Sequence, residues 1–274
     1  MTALLTAEDF LRAFHDRTPG LQSAATEAGP AADGTTSYQA LAARVAGARR
    51  VLDLGCADGA LLDLLAGQGA EVLAGIDLSA GELALARRRP ALAGAELHQG
   101  RAQELPFADD SFDAVVSHMA LMLMTDVEQV VREAARVLRP GGTLAVAVGG
   151  GPVAGEAIEL FLTLARPSFA SVPAERRMPR LGDRRSRSRE GLDELLVPAG
   201  FTPVTWESIA IDLGGDPDHC WQTLTRAFYD VTTLDQAQTA ALHDAFLTEV
   251  HPRRNADGHV PCGMLINLAT ARLG

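Results

Sequence analysis

The residues best suited to bind a ligand lie in one short segment, Asp53-Leu-Gly55-Cys-Ala-Asp-Gly59. Its first three residues end the apolar run VLDLG (51–55), which is typical of a strand buried on both faces. Glycines at such a point permit positive φ angles and let backbone amides approach a ligand closely. Three residues separate Gly55 from Gly59, so the segment differs from the G-x-G-x-x-G dinucleotide motif.

A second acidic position, Asp77, ends the next apolar run, VLAGID (72–77). A carboxylate has two oxygens and can accept hydrogen bonds from two neighbouring hydroxyls. In open α/β sheets, ligands bind outside the carboxyl ends of the strands. Asp53 and Asp77 are therefore candidates for one ligand site. Taken alone, the glycine turn suits a tight strand–helix connection equally well, and Asp77 suits a helix N-cap.

The elements that position these residues alternate regularly along the chain. Alternating strands and helices predict a doubly wound, Rossmann-like α/β fold with a mostly parallel, seven-stranded sheet. Strands are predicted at 51–55, 72–77, 95–100, 112–117, 143–148, 201–212 and near the end of the sequence, and helices at 60–67, 80–89 and 126–138.

A cover over the sheet is predicted from the flanking segments. Residues 1–48 are expected to form an N-terminal helical cover, with helices at 7–17 and 37–48 and a loop at 18–36. The main domain is predicted to span 49–274. Helical insertions within it, at about 152–189 and 217–257, are expected to complete the cover.

Composition excludes several classes of function. All 24 basic residues are Arg, so no lysine can form a Schiff base or serve a nucleotide-binding loop of the lysine type. With 35 Asp and Glu, the formal net charge is −11, which argues against a nucleic-acid partner. Cys56, Cys220 and Cys262 are odd in number and far apart, so we expect no disulfide framework and no metal.

Hydropathy gives no indication of a membrane partner. No uncharged apolar stretch approaches the roughly 18 residues that a membrane span requires. The first residues carry several charges, unlike the apolar core of a signal peptide. We expect a soluble, cytoplasmic protein, monomeric or homodimeric.

Four motifs in order resemble the class I S-adenosylmethionine-dependent methyltransferases, in particular their small-molecule, ubiquinone-biosynthesis-like branch. VLDLGCADGALL (51–62) resembles the first motif, and GIDLS (75–79) the acidic end of the second strand. LPFADDSFDAVVS (105–117) and RVLRPGG (136–142) are similar to two later motifs. The resemblance covers about residues 45–150.

The resemblance implies S-adenosylmethionine as cofactor and transfer of its methyl group to a small-molecule acceptor, with secondary metabolism as the expected setting. It leaves O-, N- and C-methylation open. It also implies that the glycine turn cradles the methionine end and that Asp77 binds both ribose hydroxyls. The cofactor-binding residues implied are Asp53, Gly55, Cys56, Ala57, Gly59, Asp77, Leu78, Arg101, Ala102 and Ser117.

Two positions depart from the family pattern. Ala57 stands where many relatives have glycine, and a left-handed conformation there costs about 1 kcal/mol or more. Arg101 stands where many relatives have an aspartate that accepts from the adenine amino group. A guanidinium has no acceptor, so that contact is lost or replaced.

Three residues are candidates for a general base. His118 is the first choice because it directly follows the fourth predicted strand, at the carboxyl edge of the sheet. His15 and Tyr38 lie on the N-terminal segments that cover the active site in this family. Each also has a purely structural interpretation. His118 would be hydrogen-bonded to the backbone, His15 would be an imidazole on a helix surface, and Tyr38 would be a packed ring. Positioning of the two reactants alone lowers the reaction barrier by roughly 7–11 kcal/mol, so a general base is not indispensable.

Two further features each allow two interpretations. The arginines from Arg176 to Arg189 suit either a clamp for an anionic substrate or a solvated loop. Met119, Met122 and Met124 suit either an apolar pocket wall or the core.

Two other functions fit the same motifs. One is an enzyme in which the cofactor assists a cyclisation, rearrangement or elimination without methyl transfer. The other is a non-catalytic cofactor-binding module, of which the departures at Ala57 and Arg101 would be signs.

Overall fold

The computed structural model describes residues 5–27 and 29–274. In that part of the chain, one sheet contains seven strands: β1 Arg50–Leu54, β2 Val72–Asp77, β3 Glu96–Gln99, β4 Phe112–His118, β5 Leu138–Pro152, β6 Thr205–Asp212 and β7 Gly263–Arg272. Their order is β3-β2-β1-β4-β5-β7-β6. Strands β1 to β5 are parallel, and β7 is antiparallel to both of its neighbours. The predicted doubly wound, mostly parallel seven-stranded fold is confirmed.

The strand order reverses at β1. The chain runs outward from β1 through β2 to β3 and then returns to the other side of β1 as β4. Asp53 of β1 consequently faces Gly75 of β2 on one side and Val116 of β4 on the other. Such a reversal opens a crevice at the carboxyl ends of the strands, where α/β folds bind ligands.

Helices cover both faces of this sheet. They are α1 Ala7–Arg17, α2 Leu21–Glu27, α3 Ser37–Ala43, α4 Ala60–Gly67, α5 Ala80–Ala86, α6 Val127–Val137, α7 Ala157–Ser171, α8 Arg189–Leu196, α9 Pro217–Ala227 and α10 Gln236–Val250. Val51 and Leu52, adjacent in β1, belong to two different buried clusters. Successive side chains of a strand point to opposite faces, so each face has its own core.

The predicted insertions contain helices that pack on one face. Phe161 of α7 lies 6.0 Å from Trp221 of α9 and 6.1 Å from Phe246 of α10, measured between ring centroids. All three helices add buried side chains to the cluster that also contains Val51. No helix in the described ranges has the length and apolar character needed to cross a membrane.

The N-terminal prediction was wrong in two details. Residues 18–36 were expected to form a loop, yet α2 occupies Leu21–Glu27. Its sequence, LQSAATE, has no apolar stripe, and the helix depends on packing against α3 and α9. The helix expected at 37–48 ends at Ala43. It begins as expected, because Thr36 and Gln39 form a capping box.

Candidate active site

The turn after β1 takes three left-handed residues. Gly55, Ala57 and Gly59 have φ angles of 72°, 45° and 80°. A Cβ on Gly55 would collide with the Cβ of Ala120, so this position requires glycine. Ala57 adopts the strained conformation that its Cβ disfavours. The turn therefore brings backbone groups to the crevice at the switch point.

Asp77 holds this turn against the end of β2. Its Oδ2 accepts from the Ala57 amide at 2.9 Å, and its Oδ1 accepts from the Ser79 amide at 2.8 Å. Burial raises the pKa of Asp77, and these two hydrogen bonds oppose the rise. Each carboxylate oxygen has a second lone pair with which to accept from a ligand hydroxyl.

Asp53 lies buried beneath the turn. Its side chain accepts no hydrogen bond from the described residues, and its Oδ1 is a buried acceptor without a partner there. Burial raises its pKa well above the ordinary value, and the negative charges of Asp77 and Asp58 add to this. In the described residues, Asp53 thus makes no side-chain hydrogen bond with the glycine turn.

Two adjoining cavities lie over the crevice. The smaller has a volume of about 90 Å³ and the larger about 590 Å³. Both are lined by His15, Gly55 and Asp77, so they meet above the turn.

The predicted cofactor residues divide between these cavities and the layer beneath them. Leu78, Arg101 and Ala102 line the smaller cavity, and Ala57 lines the larger. Cys56 and Ser117 are buried and line neither cavity. The Ser117 hydroxyl donates to the Leu54 carbonyl at 2.9 Å and so connects β4 to β1.

Arg101 is directed to α1. Its Nη2 donates to Glu8 Oε1 at 2.9 Å, and its Nε lies 2.8 Å from Glu8 Oε2. Thr125, before α6, donates its hydroxyl to the same Oε1 at 2.9 Å. The guanidinium thus joins α1 to the edge of the smaller cavity, in place of the acceptor that many relatives have.

The other end of α1 is also attached to the rim. The Oδ1 of Asp16 accepts from the Ser79 hydroxyl at 2.7 Å and from the Gly81 amide at 3.0 Å. Glu8, Leu11 and His15 of α1 line the smaller cavity. Helix α1 therefore forms its outer wall and is fixed at both ends.

His15 lies in a chain of hydrogen bonds between two segments. Its Nδ1 is 2.9 Å from Glu82 Oε1, and its Nε2 is 3.1 Å from the Tyr229 hydroxyl. A Glu82 carboxylate requires the proton on Nδ1, which leaves Nε2 as an acceptor beside the phenol, whose own proton is donated to Gln22 Oε1 at 2.9 Å. Glu82 is buried and also accepts from the Gly20 amide at 2.9 Å. This is the arrangement of a base that is oriented by a carboxylate.

His118 and Tyr38 form a separate pair. Their rings stack with centroids 3.9 Å apart, and His118 Nε2 lies 2.9 Å from the Ser37 hydroxyl. Burial lowers the pKa of His118 to about 3, so the imidazole is neutral at physiological pH. Burial raises the pKa of Tyr38, whose hydroxyl lies 3.4 Å from Thr26 Oγ1.

All three predicted bases line the larger cavity, but in two groups. Of these three, His15 alone has a carboxylate partner in the part of the chain that the structure describes. The sequence did not single out Glu8, Glu82 or Tyr229, because nothing in their spacing indicates the contacts that they make. Met119 and Met122 line the larger cavity, and Met124 lines the smaller.

The sequence and fold resemble those of known proteins. Residues 52–146 match the protein family described as Methyltransferase domain. Malonyl-acyl-carrier-protein O-methyltransferase from Methylococcus capsulatus is 32% identical over 213 residues, which cover 77% of this chain and 67% of that relative. This chain belongs to the class I S-adenosylmethionine-dependent methyltransferases.

Other methyltransferase relatives match over shorter stretches. Methyltransferase GfsG from Streptomyces halstedii is 40% identical over 107 residues, which cover only 38% of each chain. In fold, the methyltransferase is similar to the solved structure of the cyclase SpnF, with a TM-score of 0.58, 21% identity and coverage of 98% of this chain and 97% of the other.

The residues of this chain fit the cofactor of the family, S-adenosylmethionine. Asp77 offers two acceptor oxygens at the cavity junction, as a ribose diol requires. Leu78 and Ala102 give the smaller cavity apolar walls suited to an adenine ring. The left-handed turn at Gly55 and Ala57 presents backbone groups for the amino-acid end.

Proposed function

We propose that this protein transfers a methyl group from S-adenosylmethionine to a small-molecule acceptor bound in the larger cavity. The observation that carries the proposal is the junction of the two cavities at Gly55 and Asp77. Residues of the smaller cavity would hold the adenosine of this cofactor, and Gly55 and Asp77 at the junction would direct its methyl-bearing end to the larger cavity. The larger volume, about 590 Å³, lies within the usual range for small-molecule sites.

The bound cofactor supplies a methyl group on a sulfonium, ready for displacement. The contribution of the chain is to hold the acceptor in line with that methyl and to keep water out. Positioning of this kind supplies roughly 7–11 kcal/mol of barrier lowering. The apolar side chains of Met119, Ile158 and Met264 on the cavity wall serve both purposes.

We assign proton transfer to the chain Glu82–His15–Tyr229. The Tyr229 hydroxyl donates to Gln22 Oε1 at 2.9 Å and lies 3.1 Å from His15 Nε2. In the proposed step this hydroxyl turns to His15, its oxygen takes the acceptor's proton as its own proton passes to Nε2, and Glu82 stabilises the resulting imidazolium. A base of this kind contributes about 10²–10⁴-fold. His118, whose pKa is lowered to about 3, is too weak a base for this step and is assigned a positioning role as a neutral hydrogen-bonding group.

The first test is cofactor binding. Asp77→Ala should weaken binding of S-adenosylhomocysteine at least about tenfold, because each lost hydrogen bond to a carboxylate is worth about 1.5–3 kcal/mol. Isothermal titration calorimetry measures the change. Asp218→Ala removes an exposed carboxylate of α9 and is the matched control. Unchanged affinity in Asp77→Ala would disprove the cofactor assignment.

The second test identifies the reaction. Candidate acceptors are incubated with S-adenosylmethionine, and mass spectrometry follows S-adenosylhomocysteine and the methylated product together. Methyl transfer forms both in equal amounts, on oxygen, nitrogen or carbon according to the acceptor. Acceptor conversion without S-adenosylhomocysteine would instead indicate a cyclisation, rearrangement or elimination. Cofactor binding without turnover of any acceptor would indicate a binding module. A place in secondary metabolism, which is part of the proposal, depends on which acceptor reacts.

A further inference from the structure

The arginine-rich segment, residues 176–189, divides into two groups. Several of its seven arginines form ion pairs or hydrogen bonds within the protein. Arg176 pairs with Asp235, Arg177 donates to the Val172 carbonyl, and Arg185 pairs with Asp183 and Glu128. These contacts fix the segment to α6 and α10.

Arg180 and Arg187 differ from the others because both line the larger cavity. Neither forms an ion pair with a carboxylate in residues 5–27 and 29–274. Arg187 donates to the Met122 carbonyl at 3.2 Å, and partial desolvation lowers the pKa of its guanidinium. A partly desolvated guanidinium without a counter-ion favours an anion bound beside it.

The acidic groups that line the cavity do not supply that anion. Asp77 is bonded to two backbone amides, and Glu82 to His15 and the Gly20 amide. Asp230, on the short 3-10 helix Tyr229–Thr233, pairs with neither arginine, and burial raises its pKa. Positive charge thus remains uncompensated along the segment that contains Arg180 and Arg187.

Apolar surface makes up most of the remaining wall. Met122 and Leu181 lie beside the two arginines, and Ile158, Leu162 and Phe228 come from the helical layer. In a protein of net charge −11, two unpaired arginines at an apolar cavity form a distinct binding surface. A matching ligand has an apolar body and one anionic group.

We propose that the acceptor carries a carboxylate or phosphate group that Arg187 and Arg180 bind, joined to an apolar body that fills the rest of the larger cavity. This inference rests on the proposed function and names the acceptor class. The name of the Methylococcus relative, which methylates a malonyl group on its carrier protein, is consistent with an anionic acceptor in this family. The planar guanidinium suits both oxyanions, since each accepts two parallel hydrogen bonds.

The experiment uses three probes of equal chain length: decanoate, decyl phosphate and decanol. Each is titrated by calorimetry into the full chain saturated with S-adenosylhomocysteine. We expect at least one anion to bind about tenfold or more tightly than decanol. A preference for decanoate or for decyl phosphate then identifies the anionic group.

Variants show where the anion binds. Arg187→Leu and Arg180→Leu should each weaken the preferred anion about tenfold or more, since hydrogen bonds to charged groups are worth about 1.5–3 kcal/mol. Decanol affinity should change little. Arg180 forms no hydrogen bond within residues 5–27 and 29–274, so its loss tests the proposal even where Arg187→Leu disturbs the packing on Met122. The exposed Arg184, which does not line the cavity, gives the matched control Arg184→Leu.

Four results would overturn the proposal. Equal affinity for decanol and the anions would show that the anionic group is not recognised, and failure of both anions to bind would show that the cavity does not take this class of ligand. An equal loss for all probes in the variants would indicate a packing defect. Weaker binding of S-adenosylhomocysteine to Arg187→Leu would assign this guanidinium to the cofactor carboxylate. Failure of the wild-type chain to bind S-adenosylhomocysteine would instead count against the proposed function itself.

Discussion

At the scale of single residues, His118 shows how burial changes the pKa of an ordinary imidazole. It ends β4, stacks on Tyr38 and contacts the Ser37 hydroxyl, with no acidic partner in the described residues. Burial therefore opposes its protonation, and the pKa falls to about 3. The imidazole stays neutral across the physiological range and offers a hydrogen-bonding nitrogen.

This depressed pKa predicts a pH-dependent contribution to stability. Between about pH 6.5 and 3, the unfolded chain binds one more proton at this residue than the folded chain. The stability that depends on the neutral imidazole of His118 is fully present above pH 6.5 and is lost as the pH falls toward 3. From pH 7 to pH 5, the wild-type free energy of unfolding should decrease by about 2 kcal/mol more than that of His118→Phe, which keeps an aromatic ring beside Tyr38. Urea denaturation at both pH values measures the difference. Parallel behaviour of the two proteins would refute it.

At the scale of elements, α1 joins parts of the molecule that are distant in sequence. Its Glu8 contacts Arg101 after β3, and its His15 contacts Glu82 of α5 and Tyr229, which follows it by 214 residues. The motifs predicted the sheet and the Asp77 turn, because strand, turn and acidic residue are adjacent along the chain. They did not predict these contacts or α2, which depend on tertiary packing and have no local pattern.

The contact between Glu8 and Arg101 should strengthen cofactor binding slightly. The two side chains are 21% and 41% exposed, so solvent screening limits their coupling to about 0.2–1 kcal/mol. A double-mutant cycle with Glu8→Ala and Arg101→Ala, measured as affinity for S-adenosylhomocysteine, should show coupling of that size. The ion pair of Arg44 with Glu207, whose residues line neither cavity, is the control and should show none. Equal coupling in both cycles would mean that α1 has no specific role in cofactor binding.

At the scale of the whole molecule, the absence of lysine matters mainly for experiments. All 24 basic residues are arginine, so trypsin cleaves this chain only after arginine. Arg12 and Arg17 lie on α1, over the smaller cavity, whereas Arg253 and Arg254 lie at a 3-10 helix that lines neither cavity. A single trypsin digest therefore gives the cleavage rates both at the wall of the smaller cavity and at a remote site.

Cofactor binding should protect the first pair of sites and leave the second unchanged. Cleavage within a helix requires local opening, and a ligand that binds only the closed form stabilises it by about 2.7 kcal/mol at 100 times its Kd. Cleavage after Arg12 and Arg17 should then slow by up to about 100-fold in S-adenosylhomocysteine, followed by mass spectrometry of the fragments. Asp77→Ala should lose this protection at the same ligand concentration. Equal protection at Arg253 and Arg254 would show that the ligand stabilises the whole fold, and no protection at Arg12 would show that α1 opens independently of the cofactor.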